Sequence, residues 1–499
     1  MSNIRVTYSG LISLAIRLSS VFTGLAFTLI VTRQLTAEEF GTWSLISGIV
    51  IYAVIINPMV NYWATRDVAR GIDSGKTAFS TSAMLSVGGT LVYIVIAYFV
   101  GIQSDAKVDI LLLASILIPA MFLNDALNAI NTGSKPHAVS YGFLGFEITK
   151  IPIGLILVYF LKLGIEGAIY ATFLAYIVSV FIQFIYAKEK LRGKYNSQTV
   201  KKWFKLSWLP TYRNVPSLLS LSDVVIFSII TGTVIGVAYY SAARTIGFLV
   251  NHTRSFSTAV YPKLLETKKH EYLQENLIQT LYFAFPISAL SITLARPGLF
   301  VLNPIYEAAA SVVIIFTIRS FLTTLNQMFF QALQGIEDVD IEKNSTFRDY
   351  VKSKLILYPT FQLIRHGIYI GTLVLMLIFI PLDEENELEL VMYWALIGLI
   401  IEIPLFIYIF NLTKKNFVLK LELKTILKYA LTSLIAFGIM YILIEQYLNY
   451  KNSIFEFLPN LLIFVAFGIG VYLGITYLID NRTKVLFKAI ITEIIGKSR

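Results

Sequence analysis

Apolar residues run along this chain in long stretches, one after another, separated by short polar turns. Read with a window of about 20 residues, the pattern gives about 14 segments. They cover 8–32, 41–63, 78–102, 108–131, 140–162, 165–187, 206–231, 233–254, 277–300, 306–334, 356–381, 390–412, 426–448 and 456–479. The runs are continuous and do not alternate every second residue. They therefore predict bilayer-spanning helices and not the strands of an outer-membrane barrel. Prolines within them (Pro58, Pro119, Pro152, Pro210, Pro216, Pro286 and Pro404) predict kinks, which a membrane bundle tolerates. The longest connections, 188–205 and 335–355, are too short for a soluble domain. The first follows six segments and reads as a linker. The expected organisation is an N-lobe over 1–190, a basic cytoplasmic linker over 191–205, a second lobe over 206–412, a helix pair over 413–480 and a cytoplasmic tail over 481–499.

Composition agrees with lipid as the solvent. Of 499 residues, 56% are hydrophobic and 14% charged, and the mean hydropathy is +0.70. Only a membrane hides so much apolar surface in a chain of this size. The sequence has no cysteine, which excludes disulfides, thiolate metal sites and a cysteine nucleophile. The formal charge of +10 would suit nucleic acid, but its placement says otherwise. Roughly 29 of the 41 Lys and Arg residues fall on one side of the alternating topology, in "KEKLRGKYNSQTVKKWFK", "KLLETKK", "EKNSTFRDYVKSK", "LTKKNFVLKLELK" and the tail. The other side carries the acidic run "PLDEENELE" (381–389). This bias predicts a multi-pass protein of the plasma membrane with both termini in the cytoplasm, and the basic excess needs no nucleic-acid partner.

Catalytic signatures are missing. There is no Walker A motif, HExxH, GxSxG or cluster of metal ligands, and the four histidines (His137, His252, His270 and His366) are scattered. No enzyme, metal or cofactor is expected. The chemistry lies instead in charge placed within the apolar segments: Arg17, Lys150, Arg213, Arg244, Arg319 and Arg365, with Glu147, Asp223, Glu402 and, nearer an end, Asp125. A basic residue at the bilayer centre costs about 2.5–3.5 kcal/mol. Six facing lipid would cost roughly 15–20 kcal/mol, more than the stability of a typical fold. They must face water, backbone or one another.

Helical spacing supports this. Ser13, Arg17, Ser20 and Gly24 share a face of the first segment, and Arg213 aligns with Ser217 and Ser220 in the seventh. Tyr240, Arg244, Gly247, Asn251 and Ser255 form a stripe on the eighth. In the tenth, Arg319 heads a broad polar face with Ser320, Thr323, Thr324, Asn326, Gln327, Gln331 and Gln334. Together these stripes predict the walls of one hydrated, cationic cavity. Local explanations stand beside this one. Arg213 is near enough to its helix start to snorkel. Glu147 and Lys150, at i and i+3, suit a structural ion pair. Asp223 suits a pairing with Arg213 or Arg244, and Glu402, beside Pro404, a capped kink. As acids within the bundle, Asp223, Glu402 and Glu147 are also candidates to carry a coupling ion.

Two stretches point to a family. "TRQLTAEEFGTWSL" (32–45) resembles the signature of Wzx-type polysaccharide flippases, the polysaccharide-transporter branch of the multidrug/oligosaccharidyl-lipid/polysaccharide exporter superfamily. "IGVAYYSAARTIGFLVNHTRSFSTAVYPKL" (235–264) resembles the second-lobe motif of that family. "FGTWSL" and "IGVAYYSA" echo each other, each opening the second helix of its lobe, as a parallel repeat about the membrane normal requires. The resemblance implies an all-α protein of two six-helix lobes plus a C-terminal helix pair. It implies a flippase that moves a polyprenyl-(pyro)phosphate-linked oligosaccharide from the cytoplasmic to the outer leaflet by alternating access. Arg17, Arg244, Arg319, Arg213 and Arg365 would then meet phosphate, Asn326 and Gln327 would meet sugar, and protons or sodium would be the coupling ion. The alternative is an ion-coupled multidrug or organic-cation exporter of the same superfamily. Its pocket should be acidic and aromatic, whereas the embedded cations here outnumber the acids.

Overall fold

The computed structural model describes residues 23–253, 271–336, 353–383, 386–417, 419 and 422–485, and these are helical with no strand among them. Residues 23–34 form the described part of α1. There follow α2 (Ala37–Val54), α3 (Asn57–Ala69), α4 (Gly75–Gln103), α5 (Val108–Ser134), α6 (Pro136–Phe160) and α7 (Gly164–Ala187). A short α8 (Ser197–Lys205) leads to α9 (Trp208–Thr231), α10 (Ile235–Gly247), α11 (Glu271–Thr293), α12 (Ala295–Leu302) and α13 (Ala310–Gly335). The chain ends in α14 (Lys354–Phe379), α15 (Glu387–Asn416), α16 (Leu423–Tyr447) and α17 (Ile454–Ile479).

Among the described residues, ten helices are long and apolar enough to cross a membrane, and two bent pairs bring the number to 12. The pairs are α2 with α3, bent by 62°, and α11 with its successor α12, bent by 66°. Each break precedes a proline that enters the following helix, Pro58 or Pro297, where the ring disfavours continuation of the preceding turn. The first and eighth predicted segments coincide with α1 and α10, whose sequences continue outside the described residues. The protein is thus a multi-pass, all-helical membrane protein.

Small residues face inward on α4 and large apolar ones face outward. On α4 the buried face is Thr77, Ala78, Thr81, Ser82, Ser86, Gly89 and Ala97, while Met84, Val87, Leu91, Val95 and Phe99 are exposed to the lipid side. Lipid is as apolar as leucine, so small residues that bring backbones together are the ones buried. Junctions between segments follow local rules. Thr36 and Glu39 form a reciprocal capping box at the start of α2. Gly232, at φ 74, ends α9 in the left-handed conformation that lets α10 begin three residues later. The Thr233 hydroxyl then accepts from Ile235 N at 3.1 Å, and Glu387 accepts from Gly236 N at 2.8 Å.

Packing groups the chain into two compact units, residues 1–241 with 362–390, and residues 242–361 with 391–499. In the first, α5 packs on α3, α4 and α7, and α2 packs on α9. The linker segment contributes α8, whose Trp203 is buried among Val60, Ala64, Ala78, Leu127, Ile130 and Ala187 and donates to Asp67 Oδ2 at 2.9 Å. In the second unit, α13 packs on α11 through Leu325, Phe329 and Leu333, with Leu405 and Ile409 of α15 closing the same core. The C-terminal pair docks there too. Tyr472 donates to the Tyr282 carbonyl at 2.6 Å, the Tyr282 and Tyr429 rings meet edge to face at 5.1 Å, and Thr293 donates to the Phe437 carbonyl at 3.3 Å.

Candidate functional site

Of the embedded acids, Asp223 is the most enclosed in the first unit, only 2% exposed on α9. Its Oδ2 accepts from the Tyr369 hydroxyl of α14 at 2.8 Å and from the Tyr240 hydroxyl of α10 at 3.1 Å. The two hydroxyl oxygens are 3.1 Å apart, so the three groups form a closed triangle. Oδ1 accepts from Val224 N at 2.9 Å. One residue earlier, Ser222 takes the Tyr52 hydroxyl of α2 at 2.6 Å. Two phenols thus engage the carboxylate, while the side chain of Arg213, one of the partners the sequence suggests for it, lies outside the described residues. Hydroxyl donors satisfy a buried carboxylate without adding a second charge, so the site retains a group that can take up a cation or a proton. Next to it on α14, Arg365 Nη2 lies 2.7 Å from His366 Nε2, and the His366 ring contacts the ring of Tyr369.

Glu402 is the second enclosed acid, 1% exposed on α15. It accepts from Asn326 Nδ2 of α13 at 2.6 Å. The sequence suggested that Glu402 caps a kink at Pro404, but its carboxylate bridges two helices instead. Asn326 Oδ1, Ser320 Oγ and Thr324 Oγ1 are buried on α13 with no hydrogen-bond partner among the described residues. Gln327, one residue on, is half-buried. Arg319 lies against Gly398, one turn before Glu402, in the space where any other residue would carry its Cβ. The polar face of α13 is therefore divided: Asn326 belongs to the Glu402 bridge, and Arg319 is cradled by bare backbone.

The remaining charges fall into two kinds of setting. Arg244 stacks over the Phe248 ring at 4.8 Å, and Lys150 lies 4.1 Å from the centre of the Phe27 ring and 5.3 Å from that of Phe146. Aromatic faces stabilise partly dehydrated cations by about 0.5–2 kcal/mol. Glu147 and Lys150 form no ion pair, in contrast to the i, i+3 expectation. Glu147 is 8% exposed, and its Oε2 has no hydrogen-bond partner among the described residues. Arg17 lies outside the described residues, as do Ser13 and Ser20 of its stripe. Arg213 falls within α9. Tyr369 and Tyr52 carried no sequence signal, since a tyrosine in an apolar run reads as core. Among the described residues no cluster of three or more His, Asp or Glu is placed to hold a metal ion.

No family model matches the chain, and no curated relative matches it. Solved structures do. The inward closed conformation of the lipid II flippase MurJ superposes with a TM-score of 0.66 at 17% identity, covering 94% of this chain and 98% of that one. The inward-facing conformation of a multidrug resistance MATE family transporter of the MOP superfamily gives a TM-score of 0.58 at 16% identity, covering 81% of this chain and 98% of that one. The chain has the fold of the MOP superfamily.

Proposed function

We propose that this protein is a flippase that moves a polyprenyl-(pyro)phosphate-linked oligosaccharide from the cytoplasmic to the outer leaflet of the plasma membrane. Both termini are cytoplasmic in this reading, and two six-helix lobes alternate access to a cationic cavity. The observation that carries it is the excess of embedded base over acid, six cations against Glu147, Asp223, Glu402 and Asp125. Such an excess suits an anionic headgroup. The likeness to a lipid II flippase over 94% of the chain supports the same class of cargo. Arg17, Arg244, Arg319, Arg213 and Arg365 are the proposed phosphate partners, since guanidinium binds phosphate oxygens in pairs. Asn326 and Gln327 are proposed for sugar, and the exposed apolar surface of α16 and α17 for the prenyl tail. Asp223, with Glu402 and Glu147 behind it, is the proposed carrier of a coupling proton or sodium ion. An ion-coupled exporter of organic cations is the second reading, favoured by the likeness to the MATE family transporter.

Arg17 tests the reading. Transport of a labelled lipid-linked oligosaccharide and melting temperature are measured on the same purified variants in proteoliposomes. Arg17→Ala should keep its melting temperature and lose most transport, and Arg17→Lys should retain part of it, because the charge stays while the two-pronged geometry is lost. A destabilised Arg17→Ala protein that still transports at the wild-type rate would remove Arg17 from the cavity.

A further inference from the structure

The first unit holds a cavity of about 440 Å³ between the kinked end of α2, α3, α5 and α9, and no basic residue is among its described lining. Its lining is rich in side-chain amides: Asn57, Asn61, Asn128 and Asn214, together with Tyr62 and Asp125. Asn57 is 3% exposed, and its Nδ2 donates to Asp125 Oδ2 at 2.9 Å. Asn57 Oδ1, and Asn61 Oδ1 one turn further along α3, are buried without a hydrogen-bond partner among the described residues. A buried amide oxygen left unsatisfied costs about 1–3 kcal/mol. Two at one cavity wall mark a surface built to be completed by something else. Tyr62 offers a ring, and its hydroxyl is held by Arg66 Nη1 at 2.9 Å.

The chemistry of that wall selects its occupant. Among the described residues, the only charged group in the lining is a carboxylate, which repels phosphate. Amide pairs donate and accept side by side, as vicinal sugar hydroxyls do, and an aromatic ring takes the apolar C–H face of a sugar ring. The volume lies within the range of about 300–1,000 Å³ that small-ligand sites occupy. We infer that this cavity seats an uncharged sugar unit of the transported glycan, apart from the arginines that meet its phosphate. The inference rests on the flippase reading above and assigns that substrate a second point of attachment. A monovalent organic cation is the competing occupant, drawn by Asp125 and Tyr62. The amides outnumber the single carboxylate, which Asn57 already engages, and this favours sugar.

Two carriers in proteoliposomes separate the outcomes: bare polyprenyl pyrophosphate, and the same carrier bearing a neutral disaccharide. Asn61→Ala and Asn128→Ala remove side chains that hydrogen-bond to nothing within the described protein, so both variants should fold. In each, the ratio of glycosylated to bare transport should fall about tenfold, as expected for one or two lost hydrogen bonds. An unchanged ratio, whether both rates fall together or neither does, overturns the sugar seat and leaves the flippase reading standing. Wild-type transport of tetraphenylphosphonium that is lost in Asp125→Asn also overturns the seat and assigns the cavity to cations. Failure of the wild-type protein to move either carrier overturns the flippase reading first, and the sugar seat with it.

Discussion

The triangle at Asp223 makes a quantitative prediction. With the carboxylate ionised, both phenolic protons point to Oδ2, and the Tyr240–Tyr369 edge has no proton of its own. A hydrogen bond to a charged group contributes roughly 1.5–3 kcal/mol. Because the two donors share one oxygen, removing either leaves the other to satisfy it, so Tyr240→Phe and Tyr369→Phe should each cost about 1–2 kcal/mol. Removing both leaves Oδ2 with no donor in a site 2% exposed. The desolvation penalty of about 1–3 kcal/mol then appears for the first time. The double variant should be less stable than the sum of the singles by about 1 kcal/mol or more, within the range seen for side chains in one network. Equilibrium unfolding of the four proteins in mixed micelles gives the cycle. Losses that add to within about 0.5 kcal/mol would refute the shared-oxygen argument. Asp223→Leu as the background, which removes the shared acceptor, should abolish the coupling.

Three further outcomes follow from other parts of the molecule. Since the native chain has no cysteine, Asp383→Cys should react with an impermeant thiol reagent from outside cells and Lys202→Cys should not; equal labelling of both would overturn the proposed topology. Gly398→Ala places a methyl group where the Arg319 guanidinium lies, so transport should drop as in Arg319→Ala, while the melting temperature holds because a flexible side chain can move aside. A Gly398→Ala protein with full transport would detach Arg319 from substrate handling. At the base of the C-terminal pair, the bond from Arg482 at 2.8 Å holds the Glu422 carboxyl below its usual range. Burial pushes Asp480 up, but bonds from Tyr429, Lys428 and Thr483 outweigh it and leave it lowered. Depressed carboxyls stabilise above their unfolded pKa and lose that contribution as pH falls through the folded one, so hydrogen exchange at residues 422–429 and 476–485 should rise only under strongly acidic conditions. Arg482→Gln should move that rise to higher pH, and an unshifted profile would exclude the ion pair.

The spans were legible because a bilayer imposes one strong rule, continuous apolarity over about 20 residues. Every described segment falls where the hydropathy pattern places it. Bends were only partly legible. Seven of the prolines inside predicted segments are read from the sequence as kinks. Yet one of the two sharp breaks falls before Pro58 and the other before Pro297, which lies inside its segment but is not among the seven. At Pro152 and Pro216 the helix simply continues around the ring. The site was legible as a set of charges and not as a set of pairs. Asp223 finds Tyr369 at a sequence separation of 146, and Glu402 finds Asn326 at 76. Periodicity along one helix carries no information about which helix faces it. The same limit explains Lys150, which was assigned by spacing to Glu147 and in the fold rests on Phe27 from another helix.

Trp203 changes what the basic linker is mechanically. A loop of that length, left loose, would be a leash that transmits no force until it is taut. With the indole set into α3, α4 and α5 and bolted to Asp67, α8 turns with those helices as one piece. Only Leu206 and Ser207 separate it from α9, which carries Asp223. The covalent joint between that mount and the Asp223 helix is therefore only two residues long, and a proline or glycine there would change its stiffness without touching a single charge.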